Sequence, residues 1–413
     1  MSARLSRRIA HAFLRRIGSG SLTVVESGHR LTFGEGAPRA TVYVRSPRAW
    51  RKLLRGSNGL AEAYAQQLWD SPDLIALVRV AARNAHGLDR FRSALAPLLA
   101  PLQRARTLAS RNTRRRRRRD IAAHYDLGNE LFELMLDPTM TYSCAVFERA
   151  DMTLQEAALA KLERVCEKLD LQPGDHVLEI GSGWGAFAMY AARTRGCRVT
   201  TTTISREQHH HAVEQIRRAG LEDRVEVLLE DYRDLRGTYD KLVSIEMIEA
   251  VGWRHFGTFF SRCSELLEPD GAMLLQAIAI EDRAYDVEKA SRSFMNTYIF
   301  PNGCLPSMQV IAGSVKRHTD LTVAAVEDIT AHYVHTLQHW RANFERNAEE
   351  LAGLGYDERF RRIWTLYLAY CEAGFVERRI RDVQVVLDKP HRRGNVASRA
   401  EPAQALSGAG IGG

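Results

Sequence analysis

No apolar run in this 413-residue chain approaches the roughly 20 residues that a bilayer-spanning helix needs, so no helical span is expected. Its six cysteines, at 144, 166, 197, 263, 304 and 371, are scattered, with no C-x-x-C pair. That pattern argues against a disulfide framework and for a reducing compartment. No apolar h-region precedes a small-residue cleavage site, so secretion is not expected. The acid-free, Arg-rich opening is also a composition found in transit peptides. Internal repeats are lacking.

What is present is globular: 45% hydrophobic and 26% charged residues. The length points to two domains or one elaborated domain. The net charge of +8 hides a division, with 25 Lys and Arg against 7 Asp and Glu in residues 1–120 and 33 against 43 in the remainder. A basic front on an acidic body points to an anionic partner, either a phospholipid headgroup layer or nucleic acid.

Along the front, Leu5, Ile9, Phe13 and Ile17 recur every four residues, with Arg4, Arg7, Arg8 and Arg15 largely opposite. The spacing predicts a basic amphipathic helix, lying on a membrane or packed on its own domain, although Arg16 intrudes on the stripe. Short extended pieces at 22–26, 31–33 and 40–44 follow, then helical segments from Pro47, with Ser46 as cap, to about Leu102. These make a small α+β domain over residues 1–110. Six consecutive arginines, Arg114 to Arg119, cannot form a core, so residues 111–120 read as a solvated linker able to meet anionic lipid. Residues 121–391 form the main domain, and 392–413, rich in Gly, Ser and Ala, a disordered tail.

From residue 153 helices and strands alternate. Helix 154–169 precedes strand 176–180, helix 184–195 precedes strand 198–203, and helix 206–219 precedes strand 225–229. Strands 241–246 and 272–280 follow, separated by helix 253–267. This order predicts an α/β fold with a doubly wound, mostly parallel sheet and ligand at the strands' carboxyl ends. A Tyr, Phe and Met-bearing insertion at 281–320 is large enough to cover a long apolar substrate. The sheet resumes at 321–327 and ends with strand 383–387.

The most informative stretch is Val177-Leu178-Glu179-Ile180-Gly181-Ser182-Gly183-Trp184-Gly185, which joins a short strand to a helix through three glycines. Glycine permits a tight turn with positive φ and lets a cofactor lie against bare backbone, beside unpaired helix N–H groups. A dinucleotide site expects an acid at the end of the next strand. Here Arg198 to Thr203 leads through Ile204 and Ser205 to Gln208, with no acid, so hydroxyls and an amide favour S-adenosylmethionine over NAD. His209-His210-His211 points three ways around a helix, and no metal site is expected.

Upstream, Ile121 to Asn129 carries His124, Tyr125 and Asp126, and Asp137 to Ala145 carries Tyr142, Ser143 and Cys144. So many polar groups among apolar neighbours need partners or a ligand. These segments, together with Glu246-Met247-Ile248-Glu249, His332-Tyr333 and Ala369-Tyr370-Cys371, resemble the cyclopropane-fatty-acyl-phospholipid synthase family, which includes the mycolic acid cyclopropane synthases. The resemblance covers residues 120–390, and more weakly the N-terminal part.

The resemblance implies a class I methyltransferase, Rossmann-like fold in which S-adenosylmethionine alkylates a cis double bond in a phospholipid acyl chain. Proton loss from the new methyl then closes the cyclopropane. It places cofactor contacts at Tyr142, Ser143, Glu179, Gly181, Ser182, Gly183, Gly185, Thr203, Ile204, Ser205, Gln208, Tyr232 and Arg233. It implies a bound bicarbonate as base, held by Cys144, Glu249, Ile278 and Tyr333, with Gln276 where well-known members have histidine. Ala250 likewise replaces a frequent histidine, and Cys371 matches a position sometimes assigned as catalytic. A rival outcome of the same methyl transfer is a methyl-branched or methylene chain.

Expected partners are an anionic phospholipid surface on the cytoplasmic face, an unsaturated phospholipid acyl chain and a second copy of the chain as homodimer. Nucleic acid is not expected, because the aromatics do not interleave with the basic run. A non-catalytic lipid-binding relative would have no need of the three loop glycines together.

Overall fold

Strand β5 (His176–Ile180) stands at the pivot of a seven-stranded sheet in the computed structural model, which describes residues 2–85, 127–290, 293–301 and 303–393. The arginine run, His124 to Asp126 and tail residues 394–413 lie outside the described residues. The other strands are β6 (Arg198–Thr203), β7 (Val225–Leu229), β8 (Tyr239–Ile245), β9 (Leu267–Ile280), β10 (Thr322–Asp328) and β11 (Ile380–Asp388). Their order is β10-β11-β9-β8-β5-β6-β7. Strands β9, β8, β5, β6 and β7 pair in parallel, and β11 runs antiparallel between β9 and β10. Sequence reading placed the last two strands within three residues of these bounds. The chain leaves β5 on one side and returns on the other through β8, which opens a crevice at the carboxyl end of β5.

Local chemistry accounts for these elements. In β5, Val177 to Ile180 are buried, as in a strand covered on both faces. The Leu154–Leu169 helix opens with a reciprocal capping box between Thr153 and Glu156 and buries Ala157, Ala158, Leu162, Val165 and Cys166 along one stripe. The next helix starts at Ala186 rather than Trp184, because Gly185 holds φ 95 and ends the turn first. Helices 154–169 and 186–195 cover one face of the sheet, and the Phe256–Glu265 helix, with Phe256, Phe259 and Phe260, covers the other.

The N-terminal unit is a four-stranded sheet of order β2-β1-β3-β4, from β1 (Gly20–Glu26), β2 (His29–Glu35), β3 (Arg39–Val44) and β4 (Trp69–Asp70). The β1–β2 hairpin turns on Ser27 and Gly28, both at positive φ. Strand β4 has only two residues and carries no period a sequence could show. The expected helical region resolves into helices at 48–53, 57–65 and 74–83, the first capped at Pro47 rather than Ser46. The Ala3–Leu14 helix seats its small residues, Ser6 and Ala10, and leaves Leu5, Ile9 and Phe13 exposed.

This unit shares a core with the C-terminal helices: Tyr64, Trp69 and Leu74 cluster with Trp364 and Tyr367. Arg362 lies 3.8 Å over the Tyr64 ring and donates from Nε to the Tyr64 carbonyl at 2.8 Å. Arg79 and Arg83 each donate at 2.7 Å to the Glu377 carboxylate. Burial would raise the Glu377 carboxyl, but the two guanidiniums hold it below its ordinary value. Replacing Glu377 with Gln is expected to lower the unfolding free energy by about 1–2 kcal/mol at neutral pH. A group held low stabilises above its unfolded pKa and loses that contribution as pH falls through the folded value. Urea denaturation of the two proteins should therefore converge as pH falls below the ordinary glutamate range.

Candidate functional site

At the end of β5 the backbone N–H groups of Gly181 and Ser182 both donate to the Thr202 carbonyl, at 3.0 and 2.9 Å, which ties the glycine loop to β6. Gly181, Gly183 and Gly185 all have positive φ. A Cβ on Gly181 would stand 2.9 Å from Met247 Cγ, while one on Gly183 would meet nothing within 4 Å. The loop is thus tight against β8's end and open on the crevice side.

One cavity lies above this loop. Of the thirteen expected cofactor residues, Tyr142, Ser143, Glu179, Gly181, Ser182, Gly183, Thr203, Ile204, Gln208, Tyr232 and Arg233 line it. The other two stand behind its wall. Gly185 terminates the loop, and the Ser205 hydroxyl caps the Arg206–Arg218 helix by accepting from Gln208 N at 3.3 Å. Thr203 donates to Gln208 Oε1 at 2.9 Å, and Arg233 is held bidentate by Asp231. Glu179 accepts from the Thr201 hydroxyl at 2.6 Å, and burial pushes its carboxyl up to about 8. Bare backbone, hydroxyls, an amide and a buried acid match a nucleoside with a polar amino-acid tail, so these residues fit S-adenosylmethionine.

At the cavity's inner edge lies Glu246, a residue to which sequence reading gave no role. It sits just past β8 with φ 49, a conformation unusual for a residue with a side chain. Its Oε1 accepts from the Cys144 backbone N–H and from Gln276 Nε2, both at 2.8 Å, and its Oε2 from the Tyr333 hydroxyl at 2.6 Å. Gln276 also donates to Asp382 at 3.0 Å and accepts from Gln384 Nε2 at 2.9 Å, which fixes its amide. The neighbouring Glu249 accepts from Ile278 N at 2.6 Å, and burial, then the Glu246 charge, push it up to about 8. Four expected site residues, Cys144, Gln276, Ile278 and Tyr333, are therefore gathered around two buried carboxylates, Glu246 and the fifth expected residue, Glu249.

The bicarbonate expectation meets an obstacle here. Three of the donors it relies on, the Cys144 N–H, Gln276 and Tyr333, already point at Glu246, so the residues present do not fit a second anion among them. Cys144 contributes its backbone; its thiol, raised well above its ordinary value by burial, faces the Ala145 and Ile329 carbonyls. Cys371 is not part of the cluster. Its thiol makes no hydrogen bond among the described residues, and burial pushes it up to about 12, so it stays a neutral packing group.

Lys161, Asp382 and Tyr367 also belong to the site and were missed. Lys161 Nζ donates to Ser143 Oγ at 3.0 Å, and burial lowers its pKa while Glu246, Glu179 and Asp382 oppose that. A lysine on the apolar stripe of its helix was a readable signal, as was an acid in the apolar run of β11. Tyr367 bonds Tyr142 hydroxyl to hydroxyl at 2.7 Å. Around them Tyr333 stacks on Phe375 with centroids 4.3 Å apart, and Trp340 stands against Tyr142 and Tyr333. Phe294, Ile299 and Phe300 of the insertion join this wall. His209 reaches the Val227 carbonyl at 3.2 Å, and among the described residues no group of three or more His, Cys, Asp or Glu could hold a metal.

Residues 112–385 match the family model described as mycolic acid cyclopropane synthetase. The chain is 38% identical over 385 residues to the tuberculostearic acid methyltransferase UfaA1 of Mycobacterium tuberculosis, covering 90% of this chain and 89% of that protein. It is also 38% identical over 364 residues to the cyclopropane-fatty-acyl-phospholipid synthase of Escherichia coli K12, covering 86% and 89%. Among solved structures, mycolic acid cyclopropane synthase CmaA1 complexed with SAH and CTAB superposes with a TM-score of 0.62 at 34% identity, over 66% of this chain and 98% of that one.

The loop geometry yields a test. Gly181→Ala forces an L side chain to φ 102 against Met247. Calorimetric titration with S-adenosylhomocysteine should show affinity reduced about tenfold or more, with a lowered Tm. Gly183→Ala meets no protein atom, so its Tm should fall less.

Proposed function

The chain belongs to the mycolic acid cyclopropane synthetase family and is an S-adenosylmethionine-dependent C-methyltransferase, and on that premise we propose that it cyclopropanates the cis double bond of unsaturated acyl chains in membrane phospholipid. The observation that carries this reading is the meeting of two environments at Glu246. A polar cavity shaped for the sulfonium donor ends there, and an apolar aromatic wall begins.

The bound donor supplies an electrophilic methyl on a sulfonium. An alkene is a weak nucleophile, so the work of this chain is alignment and exclusion of water. Gly181, Gly183, Thr203 and Gln208 hold the donor, and Tyr142 and Ser143 close its methyl end. Tyr142, Tyr333, Trp340 and Tyr367 form the aromatic wall beside the acyl chain, where a positive charge develops after methyl transfer, and aromatic surroundings favour a cation. Phe294, Ile299 and Phe300 roof the wall and keep water from that cation. A buried carboxylate beside it receives the proton.

A second reading shares the first step and ends in a methyl-branched or methylene chain. It is favoured by the equal identity to a protein named as a tuberculostearic acid methyltransferase, and by Gln276 standing where the family resemblance implies histidine. Mass spectrometry of acyl chains, after expression in a host without such lipids, should show a gain of one CH₂ on monounsaturated chains. Ring methylene protons in the NMR spectrum should then identify the cyclopropane; an exomethylene or branch signal in their place selects the second reading.

The substrate lies in a bilayer, and among the described residues no helix is long and apolar enough to cross one. We propose that the enzyme meets its lipid from the surface, on the cytoplasmic face, with a homodimer as its assembly. Leu5, Ile9 and Phe13, 43–48% exposed beside arginines, form the seat, assisted by the arginine run. Changing all three to serine should weaken association with anionic vesicles tenfold or more, since each buried side chain contributes roughly 1.5–3 kcal/mol, and should leave cofactor affinity unchanged. Vesicle co-sedimentation reads the first and calorimetry the second.

A further inference from the structure

We infer that the base of the reaction is the Glu246 carboxylate, a side chain built into the anion site that a bound bicarbonate would otherwise fill. This deepens the proposed function and rests on it. The geometry carries the inference: Glu246 lines the donor cavity on one side and touches Tyr333 of the aromatic wall on the other. Three donors from three separate segments converge on its two oxygens. A chain that puts a side chain at φ 49 and surrounds its carboxylate with donors has built a fixed anion.

The other titratable groups are less suited. Glu249 has one donor, Ile278 N, and at about 8 it carries a proton at neutral pH. Asp382 is raised further by burial and by the Glu246 and Glu249 charges, so it stands neutral beside Glu246. Tyr333 is raised well above its ordinary value by burial and then by Glu246, and serves as a donor. His332, which burial pushes down to about 4, faces the Phe147 N–H. Burial raises Glu246 above its ordinary value, and the hydrogen bonds that Tyr333, Cys144 and Gln276 give its charged form oppose that rise. That balance leaves a base of useful strength in a dry site.

The step balances. The π pair of the alkene bonds to the donor methyl carbon as the S–CH₃ bond breaks, its pair staying on sulfur. Glu246 then takes a proton from that carbon, and the C–H pair closes the third ring bond onto the neighbouring cationic carbon. S-adenosylhomocysteine and one proton, later passed to solvent, are the by-products.

The test compares turnover of monounsaturated phospholipid vesicles in CO₂-stripped buffer with and without millimolar bicarbonate. Wild-type protein should turn over equally in both. Glu246→Gln should lose about a hundredfold or more in kcat while keeping its affinity for S-adenosylhomocysteine. Glu246→Gly, which opens the anion space, should be as slow without bicarbonate and regain activity with it. Wild-type activity that requires bicarbonate overturns the assignment, as does Glu246→Gln at wild-type speed; the wild-type comparison needs no variant to fold. Wild-type protein that binds S-adenosylhomocysteine yet changes no acyl chain in either buffer overturns the function itself, and the base with it.

Discussion

A carboxylate buried in a protein interior needs hydrogen-bond donors, and at Glu246 that requirement organises the whole centre of the molecule. The donors come from the Tyr142–Ala145 segment, from β9 through Gln276, and from the Thr330–Arg346 helix through Tyr333. Strand β11 locks Gln276 from behind through Asp382 and Gln384. Elements far apart in sequence thus meet at one pair of oxygens. Losing one donor would leave part of a charge unsatisfied in a low dielectric, a cost larger than the gain from any single neutral hydrogen bond. The antiparallel β11, a departure from the parallel pattern, is what brings Asp382 and Gln384 into reach.

The N-terminal unit is more than an appended module. Its Tyr64 and Trp69 share a core with Trp364 and Tyr367 of the Glu358–Val376 helix, and its Arg79 and Arg83 clasp Glu377, the C-cap of that helix. That helix also presents Tyr367 to Tyr142 in the site. The charge division of the sequence therefore has a structural counterpart, in which the basic unit sits on the helix that backs the aromatic wall.

Local features were legible in the sequence. The glycine loop and the alternation of helices and strands follow from short-range rules of turn and periodicity, whereas the thirteen expected cofactor residues, eleven of which line the cavity, were implied by the family resemblance, Tyr232 and Arg233 by it alone. The N-terminal helix was legible in its period but not in its facing. Ser6 and Ala10 pack inward because small residues allow close approach, which leaves the larger Leu5, Ile9 and Phe13 outside. The carboxylate hub was not legible, since Glu246 and Tyr367 acquire meaning only when β8, β9 and distant helices converge, although Asp382 stood out as an acid in an apolar strand. Lys161 is intermediate: its place on an apolar stripe was visible, but its partner Ser143 was not.

The left-handed backbone at position 246 bears on how such a site can change over time. Glycine adopts that conformation without strain. Glutamate and glycine codons differ at a single base, so one transition converts a tethered anion into an open niche, or the reverse, with the surrounding donors left in place. An ancestor could exchange a diffusible ion for a covalent one in one mutational step, and its descendants would then be indifferent to the dissolved carbon dioxide of their surroundings.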